Sequence, residues 1–176
     1  MGRHRPDEDF IAYITDRMLW LRRIAFLLCQ DWHQADDLAQ TAITKLYANW
    51  PKARRADSLD AYLRTILLNT YLTERRMPWR RRTVVRQELI DTPVVEFPPD
   101  VRIDLQRALA AIPPGQRAAI VLRYFCDLTV EQTAHELNCS TGNVKSQTSR
   151  GLDALRRVMG DHSTVQPLSG TESYLS

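Results

Sequence analysis

The sequence is short of the features that mark many protein classes. Its three cysteines, Cys29, Cys126 and Cys139, are too few and too widely spaced for a disulfide framework or a zinc site, and read as reduced thiols, mostly core. His4, His33, His135 and His162 are equally scattered and point to no metal-ligand set. No apolar run reaches membrane-spanning length, and the opening MGRHRPDEDF lacks the apolar core of a signal peptide, so the expected location is the cytoplasm without membrane insertion. Glycine is scarce, at 6 residues, and none builds a phosphate-cradling loop. The alternating apolar–polar runs of half-buried strands are missing too. What remains is an all-α protein. Hydrophobic residues make up 44% of the chain, enough for a packed core.

Helical periodicity divides the chain into two small bundles. The first helix is expected to begin near Pro6 to Glu8, with one apolar stripe of Phe10, Ile14, Met18, Leu21, Ala25 and Leu28. After Asp31 a second helix carries Ala35, Leu38, Ala39, Ala42, Ile43, Leu46 and Tyr47, and Trp50-Pro51 stops it. A basic loop, KARRADS, follows. Ser58 or Asp57 can cap a third helix that carries Tyr62, Leu63, Ile66, Leu67, Thr70 and Tyr71 and ends at Met77-Pro78 or just before. These segments form a first domain over residues 6–82. Residues 83–100 hold Pro93, Pro98 and Pro99, and set Glu88, Asp91, Glu96 and Asp100 against Arg86 alone, which reads as an acidic extended linker. A second domain spans 101–159, broken at Pro113-Pro114-Gly115. Its segment 116–125 carries Ala119, Ile120, Leu122 and Tyr124 into a helix. The Ser/Thr-rich tail, 160–176, is expected to be disordered.

Charge is modest in sum, at +3, but unevenly placed. Arg75, Arg76, Arg80, Arg81, Arg82 and Arg86 crowd together, and Lys52, Arg54 and Arg55 form a second cluster. Basic blocks set between apolar segments suit a folded site for a polyanion. The run VEQTAHELNCSTGNVKSQTSRGLDAL reads as a helix-turn-helix. Thr129 and Gln132 make a capping box, Asn138 and Cys139 the turn, and Ser140 caps the second helix. That second helix buries Val144, Thr148, Leu152 and Leu155. It turns Ser140, Thr141, Asn143, Lys145, Ser146, Gln147 and Arg150 outward, a mixture of hydroxyls, amides and cations that suits phosphates and base edges.

Two helical bundles, an acidic Pro-bearing linker and a C-terminal helix-turn-helix together resemble an extracytoplasmic-function sigma factor of bacterial RNA polymerase, in the sigma-70 superfamily. The resemblance covers most of the chain, with several motifs in the family's order. DWHQADDLAQTAITKLY looks like the segment that docks on the polymerase β′ clamp, with Asp36, Asp37, Leu38 and Gln40 at the family's motif positions. Thr41 stands where an acid is usual and Ile43 where an aromatic is. SLDAYLRTILLNTYLTERR resembles the segment that melts and reads the −10 element. Asn69 matches there, while Tyr62 replaces the usual Trp. Tyr62 is expected to be a core aromatic rather than a stacking platform. Arg75, Arg76, Arg80 and Arg81 would hold phosphate, and 52–58, with Lys52, Arg54 and Arg55, is similar in position to the base-capturing loop.

The resemblance implies that Ser140, Thr141, Asn143, Lys145, Ser146, Gln147 and Arg150 meet the −35 element. Asn143 and Gln147 depart from the usual Thr and Arg, and Gln147 could bond an adenine edge. It also implies binding to core polymerase (the β′ clamp and the β subunit) and promoter DNA, control by an anti-sigma factor, no cofactor or metal, and no catalytic site. A free-standing helix-turn-helix regulator is the alternative. An enzyme acting on nucleic acid is a third reading, but adjacent Asp36 and Asp37 project about 100° apart on a helix and clamp metals poorly as a pair.

Overall fold

The structure, a computed structural model, describes residues 6–76 and 99–159, and for Pro6, Arg76 and 99–104 the backbone alone. The expected linker up to residue 98, Arg80, Arg81 and the expected disordered tail lie outside the described residues. The described residues form helices joined by turns.

Helix α1 (Pro6–Cys29) opens with Asp7, Glu8 and Asp9 in its first turn, where the helix dipole favours anions. Gln30 breaks it with a φ of 60°, and Asp31 then caps α2 (Trp32–Ala48) by accepting from the Gln34 N–H at 2.8 Å. The two helices form an antiparallel hairpin, clamped at one end by Phe10 edge-on to Tyr47 and Trp50, and at the other by Phe26 stacked on Trp32. Ala35, Ala39 and Ala42 give α2 a small-residue face that lets α1 approach closely. Phe10, Ile14, Leu21, Ala25 and Leu28 are buried as expected. Met18 is not: it is 38% exposed, beside Leu19 at 48% and one helical face from Ile11 at 62%. Tyr47, also expected inside, is exposed and donates to Asp7.

Trp50-Pro51 does end α2, but the chain then makes a further turn, α3 (Trp50–Ala53), with proline at a first-turn position where its missing N–H costs nothing. The expected basic loop therefore begins inside a helical turn. Helix α4 (Leu59–Arg76) starts where the Ser58 hydroxyl accepts from the Ala61 N–H. It buries Leu63, Leu67, Leu68, Thr70 and Tyr71 against α1 and α2. Each fully buried leucine contributes about 1.5–3 kcal/mol of transfer free energy.

The second domain begins with α5 (Pro99–Ala111), so Pro99 and Asp100 belong to a helix rather than to the linker. Pro113 then precedes α6 (Pro114–Ile120). The expected single helix over 116–125 is instead α6 followed by a π-helical turn, Val121–Phe125, closed by Cys126 N–H to Val121 C=O at 3.0 Å. Tyr124, in that wider turn, is 59% exposed. Helices α7 (Val130–Leu137) and α8 (Thr141–Val158) complete the domain.

The two domains share a core. Ala118, Val121, Leu122 and Leu128 of the second lie in the same buried cluster as the α1, α2 and α4 side chains, while Ala108, Leu109, Ile112, Ile120 and Leu155 form a separate cluster behind them. Leu27 of α1 packs against both.

Candidate nucleic-acid interface

The helix-turn-helix is built by local hydrogen bonds that the sequence specifies. The Thr129 hydroxyl accepts from the Gln132 N–H at 3.1 Å, and the Gln132 side chain accepts from the Thr129 N–H at 2.8 Å. A capping pair of this kind contributes about 1 kcal/mol. Asn138 takes φ 50° and ψ 52°, a left-handed position that asparagine tolerates and β-branched residues do not. Ser140 caps α8 by accepting from the Asn143 N–H at 3.1 Å.

Helix α8 rests on α6 and α7 through Val144, Gly151 and Leu155, with Thr148 and Leu152 half-buried at the margins. Ser140, Thr141, Asn143, Lys145 and Arg150 are exposed; Ser146 and Gln147 are half-buried. The Gln147 amide reaches back to Asn143 Oδ1 at 3.4 Å and lies near Gly115. Lys145 lines a cleft of about 320 Å³ with Arg123, Ser149 and Arg156. Two of those cations escaped the sequence reading. Arg123 sits within an aliphatic run, in the π-helical turn, and lines the cleft beside α8. Arg156 lies about three turns after Lys145 on the same helix, so its periodicity could have found it.

In the first domain, Asn69 and Arg75 are exposed on α4, and the Arg75 guanidinium lies over the Tyr71 ring at 5.6 Å. Lys52, Arg54 and Arg55 are exposed on and after α3. Arg54 is bound to Asp9 at 3.4 Å, so not all of the cluster's charge points outward unpaired. Tyr62 is half-buried: it packs against the core and also borders a trough beside α4.

The acidic run on α2 is divided by the fold. Asp37 and Gln40 are exposed. Asp36 takes a two-pronged ion pair from Arg22 of α1, at 2.6 and 3.2 Å. Arg22 also lies 5.4 Å from the Trp32 ring. Leu38 is 1% exposed and belongs to the core, so it cannot itself touch a docked protein. Leu38 falls on the buried stripe of α2 with Ala35, Ala39, Ala42 and Leu46, so it points inward.

Burial pushes the Cys29 thiol up to about 12 and that of Cys126 up to about 11, so both stay protonated near neutrality. No group of three His, Cys, Asp or Glu converges as a metal site among the described residues. No helix among them is long and apolar enough to cross a membrane.

Residues 14–81 match the family described as Sigma-70 region 2, and residues 102–155 match Sigma-70, region 4. The chain is 34% identical over 158 residues to the RNA polymerase sigma-E factor of Streptomyces coelicolor, with 86% of each chain covered. It is 27% identical over 172 residues to the ECF RNA polymerase sigma factor SigM of Mycobacterium tuberculosis, covering 90% of this chain and 88% of that one. Among solved structures it is similar to the sigma factor RpoE in complex with the anti-sigma factor NepR from Bartonella quintana. The TM-score there is 0.72 at 26% identity, over 86% of this chain and 97% of that one.

Proposed function

This chain belongs to the sigma-70 family, among the extracytoplasmic-function RNA polymerase sigma factors, and we propose how its two domains divide the work of promoter selection. Its likeness to named sigma factors across both domains sets aside the free-standing regulator.

Residues 6–82 form domain two. Its α2 face, with Asp37 and Gln40 outward and Asp36 held by Arg22, docks on the β′ clamp of core polymerase, where acidic and polar groups fix register against a basic surface. Leu38 acts from inside, by anchoring that helix. Asn69 and the cations Lys52, Arg54, Arg55, Arg75, Arg76, Arg80 and Arg81 engage the −10 element. Cations hold the phosphates there, while an unstacked base enters the loop that precedes α4. Residues 83–98 tether the domains within the polymerase, and the segment from α5 (Pro99–Ala111) to residue 159 forms domain four, placed on the −35 element beside the β subunit. Melting draws on the binding energy of the captured strand, so no catalytic group or cofactor is invoked.

The observation that supports this reading most is α8. A capped helix leaves Thr141, Asn143, Lys145 and Arg150 exposed around its outer arc, while Val144, Gly151 and Leu155 anchor the inner stripe. Lys145, Arg123 and Arg156 suit phosphate; Asn143 and Gln147 suit base edges, and Gln147 must swing away from Asn143 to do so. The relative solved with NepR supports an anti-sigma partner for this chain as well. Co-elution of the purified protein with core polymerase tests the reading. Failure to co-elute, together with tight unaided binding to duplex DNA, would return the free-standing regulator.

A further inference from the structure

We propose that α7 of domain four occupies a single-strand trough of domain two, with the Glu136 carboxylate standing where a DNA phosphate binds once the domains part. The proposal rests on the reading of α4 as the −10 helix given above.

Glu136 is a deeply placed acid in the contact between the domains. Its side chain is 8% exposed and that of its partner Arg64 is 12% exposed. Arg64 Nη2 donates to one carboxylate oxygen at 3.2 Å, and the Thr65 hydroxyl donates to the other at 2.7 Å. A guanidinium and a hydroxyl side by side on one helix are the donors that proteins present to phosphate. The carboxylate does not use them fully: Arg64 Nε is buried without a hydrogen-bond partner among the described residues. The two anionic oxygens of a DNA phosphodiester sit on a tetrahedral centre and can meet the guanidinium fork and the neighbouring hydroxyl together.

The pair closes one side of a trough of about 580 Å³. One wall is Ser58, Tyr62 and Arg64, at the start of α4 and in the loop before it; the other is Glu131, His135 and Glu136 of α7. Without α7, the first wall is an open groove with a cation, hydroxyls, an aromatic ring and one exposed carboxylate, Asp57; the first three are the components of single-strand platforms.

The closed form cannot serve both promoter elements. Elements centred at −10 and −35 lie about 25 base pairs apart, about 85 Å of duplex at the B-form rise, whereas α4 and α7 are joined at 2.7 Å. Opening also uncovers Val121 and Leu122, which share a core with domain two. A surface that covers them must therefore accompany opening, and core polymerase is the partner that meets both domains.

The test uses the full chain and a fluorescein-labelled single-stranded DNA of 20 degenerate nucleotides, read by anisotropy, with small-angle scattering on the same samples. Glu136→Gln is expected to enlarge the radius of gyration and to tighten DNA binding about tenfold. Asp16→Asn, the same charge change at an exposed position of α1, is expected to do neither. Adding Arg64→Ala to Glu136→Gln is expected to remove the gain in affinity while the chain stays expanded. Equal gains from Glu136→Gln and Asp16→Asn, or no expansion, overturn the proposal. Core-binding by wild type is scored separately: its absence defeats the sigma reading, and the scattering and single-strand arms still decide the latch.

Discussion

Gly151 of α8 crosses Ile120 of α6 so closely that a Cβ at position 151 would lie 2.5 Å from Ile120 Cδ1 and 3.3 Å from Gln116 Cβ. Ile120 is buried at 7% exposure and has little room to retreat. The glycine therefore sets how α8 lies across domain four, and with it the pose of the DNA-facing side. Gly151→Leu is expected to destabilise the protein by about 1–3 kcal/mol through overpacking. For Gly151→Ala the loss is smaller, because alanine regains about 1 kcal/mol of helix propensity. Urea unfolding checks both; a Leu variant with an unchanged midpoint would contradict the packing argument.

Lys145 and Gln147 are two residues apart on α8 yet differ in role. Lys145→Ala should weaken binding to every promoter sequence and reduce the salt slope of log K by about 1. Gln147→Ala should instead alter discrimination at one −35 position, by about 1–3 kcal/mol. A salt titration across a small set of −35 variants separates the two. An unchanged slope for the first, or equal losses on all variants for the second, would count against the assignment.

On α2, Asp37 and Asp36 should respond differently. Asp37 is exposed, and Asp37→Lys is expected to weaken core polymerase binding at least tenfold while leaving the melting temperature almost unchanged. Asp36→Asn releases Arg22, and because both partners are about one-third to two-fifths exposed, the stability effect should stay below about 1 kcal/mol. Binding measured against core, with melting curves alongside, reads both. A large loss of stability in Asp37→Lys would show that the helix face is structural.

The Cys29 thiol has its pKa raised from the ordinary 9.0 to about 12, mainly by burial, with Arg117 pulling the other way. The folded state therefore keeps a proton that the unfolded chain releases. This group leaves stability untouched below about pH 9 and lowers it as pH rises from there toward 12. Iodoacetamide at pH 8.5 should label Cys29 slowly in the native protein and quickly in urea. Native labelling as fast as denatured labelling would contradict its burial.

The parts of this protein written in local chemistry were legible in its sequence. Thr129 with Gln132, Asn138 and Ser140 need only neighbours within a few residues, and each takes the expected role. The apolar stripes of α1, α2 and α4 were legible for the same reason, since helical spacing alone defines an inward face. Met18 and Tyr47 went astray because their positions depend on what lies beside the helix, and the single helix over 116–125 did because a π turn shifts the register by one residue. Arg22 with Asp36 and Arg64 with Glu136 were invisible, since charge partners on different helices leave no spacing signature. Leu38 shows the limit of motif reading: its place in a docking run was apparent, but its burial follows from the hairpin with α1.

The most direct test is run-off transcription by purified core polymerase from a randomised promoter library, with and without this protein. Sequenced transcripts are expected to start at a defined set of sites, preceded by common −10 and −35 elements, only when the protein is present. Start sites that are the same in both reactions would contradict the account.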